Sequence, residues 1–128
     1  TGEAQEGQVW EAAETASKYE LDNLIIIVDN NGLQNDGPCD AVMPTRDLAE
    51  KFKAFGCNTY NMDGHNMDEI LDTLDAVRAS GSRKPHCIVA KTVKGEGVSF
   101  MENIPSWHGM APNDEEYARA IADIEEGF

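Results

Sequence analysis

The chain has 128 residues, 41% of them hydrophobic, with 24 acidic against 10 basic side chains and a formal net charge of -14. That length is one domain's worth, and scattered basic residues in so acidic a chain exclude a nucleic-acid or anionic-membrane surface, which would need clustered Lys and Arg. No apolar run approaches the ~20 residues of a membrane span, so no membrane is expected beside no nucleic acid, and three cysteines that suit a reducing compartment make the expected location cytoplasmic.

From Glu6 to about Tyr19, Val9, Trp10, Ala12, Ala13, Ala16 and Tyr19 recur at a helical period. Ala12, Ala13 and Ala16 form the expected contact stripe, small enough for close packing on a sheet. Leu24 to Val28 are five consecutive apolar residues, mostly β-branched and with no polar face, as in a central strand covered by helices on both sides. Asp29, Asn30 and Asn31 follow at its carboxyl end, where open α/β sheets bind ligands, and Gly32 permits the turn. Alone, Asn-Asn-Gly reads as an ordinary turn. The glycines and prolines between Asn30 and Thr45 predict a long loop without regular structure over most of its length.

Arg46 to Phe55 reads as a helix with Leu48, Phe52 and Phe55 inward, Thr45 as its cap and Gly56 at its end. Cys57 to Met62 makes a short strand, and Asp63-Gly64-His65-Asn66 turns the chain, with His65 a structural turn residue. The next helix runs from Met67 to about Ser80 with Ile70, Leu71, Leu74 and Val77 inward, and Asn66 and Asp68 suit its positive end. Pro85 to Val93 is a third strand, in which His86 has no assigned role. Lys94 to Asn113 is an irregular loop, and Asp114 to Glu125 a closing amphipathic helix with Tyr117, Ile121 and Ile124 inward. Cys39, Cys57 and Cys87 are odd in number and lack metal-ligand spacing, which points to buried or free thiols in a reducing compartment.

Alternating helix and strand predict an α/β fold, a parallel sheet with flanking helices and right-handed crossovers. Three strands make an incomplete sheet, so at least one edge should be exposed and adhesive. Residues 1–128 are accordingly expected to be a single domain that is a fragment of a larger one.

Several segments carry a further signal. Glu6-Gly7-Gln8-Val9-Trp10-Glu11-Ala12-Ala13, Asp22 to Leu33, Lys94-Gly95-Glu96-Gly97 and Trp107-His108-Gly109 stand in one order over most of the chain. Together they resemble the diphosphate-binding domain of transketolase, a thiamine diphosphate enzyme, of which this chain matches the carboxyl-side part. The resemblance implies thiamine diphosphate as cofactor with Mg2+ or Ca2+, and transfer of a two-carbon ketol unit from a ketose phosphate to an aldose phosphate. It assigns Asn31, through its side-chain oxygen, and Leu33, through its backbone oxygen, to the metal. Gly2 at the start of the first helix would approach the diphosphate. His108 would lie near the diphosphate and the reacting carbon, as a cofactor-binding and catalytic residue. Lys94 would lie near the cofactor. Glu6 would sit at a dimer contact and orient the partner's glutamate in a proton relay. Without the resemblance, Glu6 is a helix-start acid, Glu11 a solvated one, His108 an incidental loop residue and Lys94 a strand-end charge.

One position departs from the family pattern: Thr1 stands where the family has its metal-binding aspartate, which removes a negative charge from a site for a dication. The family's substrate-binding arginines and its remaining catalytic groups match no segment here, so the chain alone should be inactive. Its expected partners are sugar phosphates and the remaining transketolase domains or a second subunit, in a homo- or hetero-oligomer. The alternatives are a non-catalytic assembly or regulatory domain with a degenerate metal site, and a fragment of the related deoxyxylulose-phosphate synthase or dihydroxyacetone synthase.

Overall fold

A computed structural model describes residues 1–127. A 3-10 turn, Gly2–Gln5, leads into α1, Gly7–Lys18, and the first strand β1, Ile25–Asn30. The next segment folds into a two-residue hairpin, β2 (Leu33–Gln34) with β3 (Gly37–Pro38), and a helical turn α2, Cys39–Val42, where the sequence predicts irregular loop. Then come α3 (Leu48–Ala54), β4 (Asn58–Asp63), α4 (Met67–Ala79), β5 (His86–Lys91), a 3-10 turn at Pro105–His108 and α5 (Asp114–Glu126).

The main sheet is parallel, in the order β1-β5-β4. Ile27 pairs with Ile88 on one side of β5, and Tyr60 with Ile88 on the other. The crossover from β1 to β4 passes α3 on one face. The return from β4 to β5 passes α4 on the opposite face, as two crossovers of one hand must when the direction of travel reverses.

Each face has its own core. On one, Ala13 of α1 and Leu48, Ala49 and Phe52 of α3 pack on Val28, Cys87 and Val89, with Trp10 against Phe52 at 4.7 Å between ring centroids. On the other, Ile70, Leu74 and Val77 of α4 cover Tyr60, Met62, Ile88 and Ala90. Of the expected alanine stripe, Ala13 and Ala16 are buried but Ala12 is exposed, because only positions three apart face the sheet here.

The central strand is β5, whose residues His86 to Ala90 are all buried, and not the Leu24–Val28 run. β1 forms an edge: Ile26 and Val28 point into the first core while Ile25 is 37% and Ile27 60% exposed. An unbroken apolar run matches a strand with cover on both faces but does not say which elements supply that cover or where the strand lies in the sheet, so strand rank lies outside its content. The expectation of an exposed apolar edge is met at β1.

Three further expectations are corrected. The cap of α3 is Asp47, whose Oδ1 accepts the Glu50 N–H at 2.9 Å, while Thr45 is buried before the helix begins. Leu71 is 54% exposed, being on the outer flank of α4. Tyr117, Ile121 and Ile124 also face outward, because α5 is held by its other side: Ala120 is buried, Arg119 lies over the Phe100 ring, and Asp123 accepts from both the Ser99 N–H and hydroxyl. Those two donors hold the Asp123 carboxyl below its ordinary value. Asn66 caps α4 as expected, accepting from the Asp68 and Glu69 N–H groups. His86 is a packed core residue, its ring nitrogens 3.3 Å from the Tyr60 hydroxyl and from Ser80 Oγ.

All three thiols are free and buried. Burial, and secondarily charge on Cys57, pushes the Cys87 thiol up to about 12; burial raises Cys57 as well. A raised folded-state value means that the neutral thiol belongs to the fold. Its contribution is complete below the unfolded thiol's ~8.5 and is lost as pH rises towards about 12. The urea midpoint is therefore expected to fall between about pH 8 and 11, and to fall less in Cys87→Ala; equal losses in the two proteins would refute this origin.

Candidate functional site

The carboxyl ends of β1 and β5 open on a cleft of about 680 Å³. Gly2, Glu6, Asn31, Leu33, Lys94 and His108, separate in sequence, all line it. Each is brought there by a different local device.

The 3-10 turn carrying Gly2 is pinned to α1 by the Trp10 indole N–H, which donates to the Ala4 carbonyl at 3.0 Å. Gly2 packs so closely on β2 that a Cβ would meet Gln34 Cβ at 2.9 Å. The turn is tied again where Gln5 Nε2 donates to Gln34 Oε1 at 2.5 Å and to the Met43 carbonyl at 2.8 Å. Glu6 is the residue before α1; its extended backbone begins the helix while its side chain makes no cap bond and stays exposed at the cleft.

Asn31 ends β1. Its Oδ1 accepts the Leu33 N–H at 2.9 Å, an Asx turn that fixes Gly32 between them at φ +72°. Thr1 Oγ1 lies 3.3 Å from the same Oδ1, and accepts the Gly32 N–H at 3.0 Å. Thr1 is thus woven into the Asn31 turn. Lys94 follows β5, half-buried, where β5 runs beside β1. His108 ends the second 3-10 turn, anchored by Trp107, whose indole N–H donates to the Phe100 carbonyl at 3.1 Å and whose ring meets Phe100 edge-on. Glu11 lies on the exposed face of α1 and is not among the cleft-lining residues.

Sequence reasoning passed over Gln34 and Asp36, which line the cleft beside the Asp29 it had placed at the strand end, and Thr92, whose hydroxyl donates to Asp29 Oδ1. The signal for Thr92 is strand register, since the pairing of Asp29 with Ala90 sets Thr92 beside the end of β1.

The donor set at the Asn31 turn is hard and neutral: an amide oxygen, a hydroxyl and peptide carbonyls. Such oxygens suit Mg2+ or Ca2+. Among the described residues no group of three His, Cys, Asp or Glu side chains could hold a metal ion. The cleft as a whole is acidic, with Glu3, Glu6, Asp29 and Asp36 against Lys94 and His108.

Residues 1–124 match the family model described as transketolase, thiamine diphosphate binding domain. The chain is 41% identical over 125 residues to one subunit of the apulose-4-phosphate transketolase of Actinobacillus succinogenes, covering 98% of this chain and 45% of that protein. It is 42% identical over 125 residues to the 6-deoxy-6-sulfo-D-fructose transketolase subunit SqwG of a Clostridium species, covering 97% and 45%. The chain therefore spans less than half the length of these curated relatives. Among solved structures it superimposes on transketolase from Campylobacter jejuni with a TM-score of 0.88 at 29% identity, over 98% of this chain and 19% of that one. A motif order read from the sequence, a parallel α/β fold and these matches agree: the chain belongs to the transketolase family, within its thiamine diphosphate-binding domain.

Proposed function

We propose that this chain holds the diphosphate of thiamine diphosphate, together with Mg2+ or Ca2+, for an enzyme that moves a two-carbon ketol unit between sugars. The observation that carries the reading is the convergence of Gly2, Asn31, Leu33, Lys94 and His108 on one cleft. When bound, the coenzyme supplies the nucleophilic carbon and the electron sink for that transfer.

The chain's own residues bind and orient. Gly2 leaves the backbone of the first turn open to a phosphate, Lys94 brings a lysine ammonium to the cleft, and His108 offers an exposed ring nitrogen for hydrogen bonding or proton transfer. Glu6, exposed at the cleft, is free to meet a partner's group across a subunit contact. A diphosphate entering a cleft with four carboxylates and one lysine meets net repulsion. A dication held by Asn31 Oδ1 and the Leu33 carbonyl removes that repulsion, and with neutral protein donors most of the charge holding the ion comes from the diphosphate itself.

The edge of β1, unpaired among the described residues and with Ile25 and Ile27 exposed beside it, is where the remaining domain or a second subunit completes the sheet. The two named relatives act on sugars bearing a phosphate or a sulfonate. We extend that class, a sugar with an anionic terminus, to this protein. The groups that hold the anionic terminus then come from the partner, because Lys94 and His108 serve the coenzyme.

The second reading, a degenerate metal site in a non-catalytic domain, draws on the neutral Thr1. Calorimetric titration of thiamine diphosphate into the assembled protein, with and without Mg2+ and with Thr1→Asp, separates the two. Metal-dependent binding by the unsubstituted protein, at least about tenfold tighter than without metal, is the expected result. Binding restored only by Thr1→Asp would establish degeneration, and metal-independent binding would overturn the metal role.

A further inference from the structure

We infer that His65 is a positioning residue for the cleft: by accepting a backbone N–H from the segment that leaves β5, it sets the place of Lys94, an inference that rests on the coenzyme-binding reading above. The turn Asp63–Asn66 between β4 and α4 is clamped to the end of β5 at successive points. The Gly64 N–H donates to the Lys91 carbonyl at 2.8 Å. A Cβ on Gly64 would meet Thr92 Cγ2 at 2.5 Å, so the turn lies directly on the departing chain. The Val93 N–H then donates to His65 Nε2 at 2.8 Å.

Two observations define the role of the imidazole. The His65 backbone N–H donates to Asp63 Oδ1 at 2.9 Å, which closes the turn that carries the ring. The Glu96 carboxylate stands 4.0 Å from Nε2, beyond hydrogen-bond reach, and leaves Val93 as the partner of that nitrogen. Accepting an N–H requires His65 to be neutral, with its proton on Nδ1. Beyond Val93 the chain turns at glycines, Gly95 at φ +75° and Gly97 at φ +83°, and Gly95 lies so close to the Met101 carbonyl that a Cβ would meet its oxygen at 2.7 Å. Lys94 sits inside a turn closed by the Glu96 N–H on the Val93 carbonyl at 3.3 Å, with its own carbonyl accepting the Asn103 N–H at 2.9 Å, and the Val93 N–H on His65 is what ties the entry of that turn to the neighbouring loop. Releasing the Val93 N–H loosens the entry of that turn and with it the place of Lys94.

The test compares His65→Leu with His65→Gln in the assembled protein, the glutamine oxygen standing near the place of Nε2. In His65→Leu the Val93 amide should exchange with solvent about tenfold faster or more, while the Ile88 and Val89 amides of β5 keep their rates. The dissociation constant for thiamine diphosphate with Mg2+ should rise by a similar factor. His65→Gln should restore both. In a Lys94→Met background, His65→Leu should weaken binding no further, because its effect runs through Lys94.

Unchanged Val93 exchange in His65→Leu, a glutamine variant as impaired as leucine, or an undiminished effect without Lys94 would each overturn the assignment. An unsubstituted protein that fails to bind the coenzyme would overturn the functional reading and the part played through Lys94, while the exchange pattern would still decide whether His65 holds the segment.

Discussion

Asn31→Ala is expected to raise the dissociation constant for thiamine diphosphate with Mg2+ by roughly 10- to 100-fold, the scale of losing a hydrogen-bonding or ligating group aimed at a charge. The side chain has two tasks in this structure. Asn31 lines the cleft where the metal is proposed to sit, and its Oδ1 also accepts the Leu33 N–H at 2.9 Å, so removing it loosens the turn that presents the Leu33 carbonyl. Asn31→Asp separates the tasks, because the carboxylate keeps the acceptor and adds a negative charge beside the ion. Calorimetry should show Asp retaining metal-dependent binding where Ala loses it. Equal affinity in Ala and the unsubstituted protein would remove Asn31 from the metal site. Loss in Ala and Asp alike would assign the effect to the amide's N–H group.

Phe52→Ala is expected to cost about 3–5 kcal/mol, the range for emptying an aromatic site that cannot collapse. Phe52 is fully buried at 0% exposure and joins α3 to the sheet face formed by Val28, Cys87 and Val89, with Trp10 of α1 against its ring. Set against a typical domain stability of ~5–15 kcal/mol, such a loss brings the protein near unfolding. Urea denaturation followed by tryptophan fluorescence measures it. Lys53→Ala is the control: its pair with Glu50 is 3.0 Å long and solvent-exposed, worth ~0–1 kcal/mol. A Phe52 cost below that of Lys53 would mean that the first core is not organised around this ring.

Much of the fold is legible in the chain because its signals are local. Alternating periodicity placed the helices and strands to within a few residues, and the Asn66 amide could be recognised as a cap since capping depends on positions two and three residues away. Covering was not legible in the same way. Tyr117, Ile121 and Ile124 have the spacing of a buried stripe, but whether a stripe is covered depends on which side of α5 finds Ser99 and Phe100. For the same reason the Leu24–Val28 run did not disclose that β1 is an edge. The hairpin inside the 30–45 loop escaped because two-residue strands leave no period to count.

The candidate site divides along the same line. The sequence by itself determined the family, the alternating architecture and the residue types with chemistry to offer, because each is a property of short segments and their order. Tertiary structure alone decided that β5 lies between β1 and β4, that Thr92 meets Asp29 and that His65 reaches Val93, since these are contacts between residues 28 to 63 positions apart. Such pairings are selected by the sum of packing over the sheet and helices, a quantity that no local stretch of chain carries.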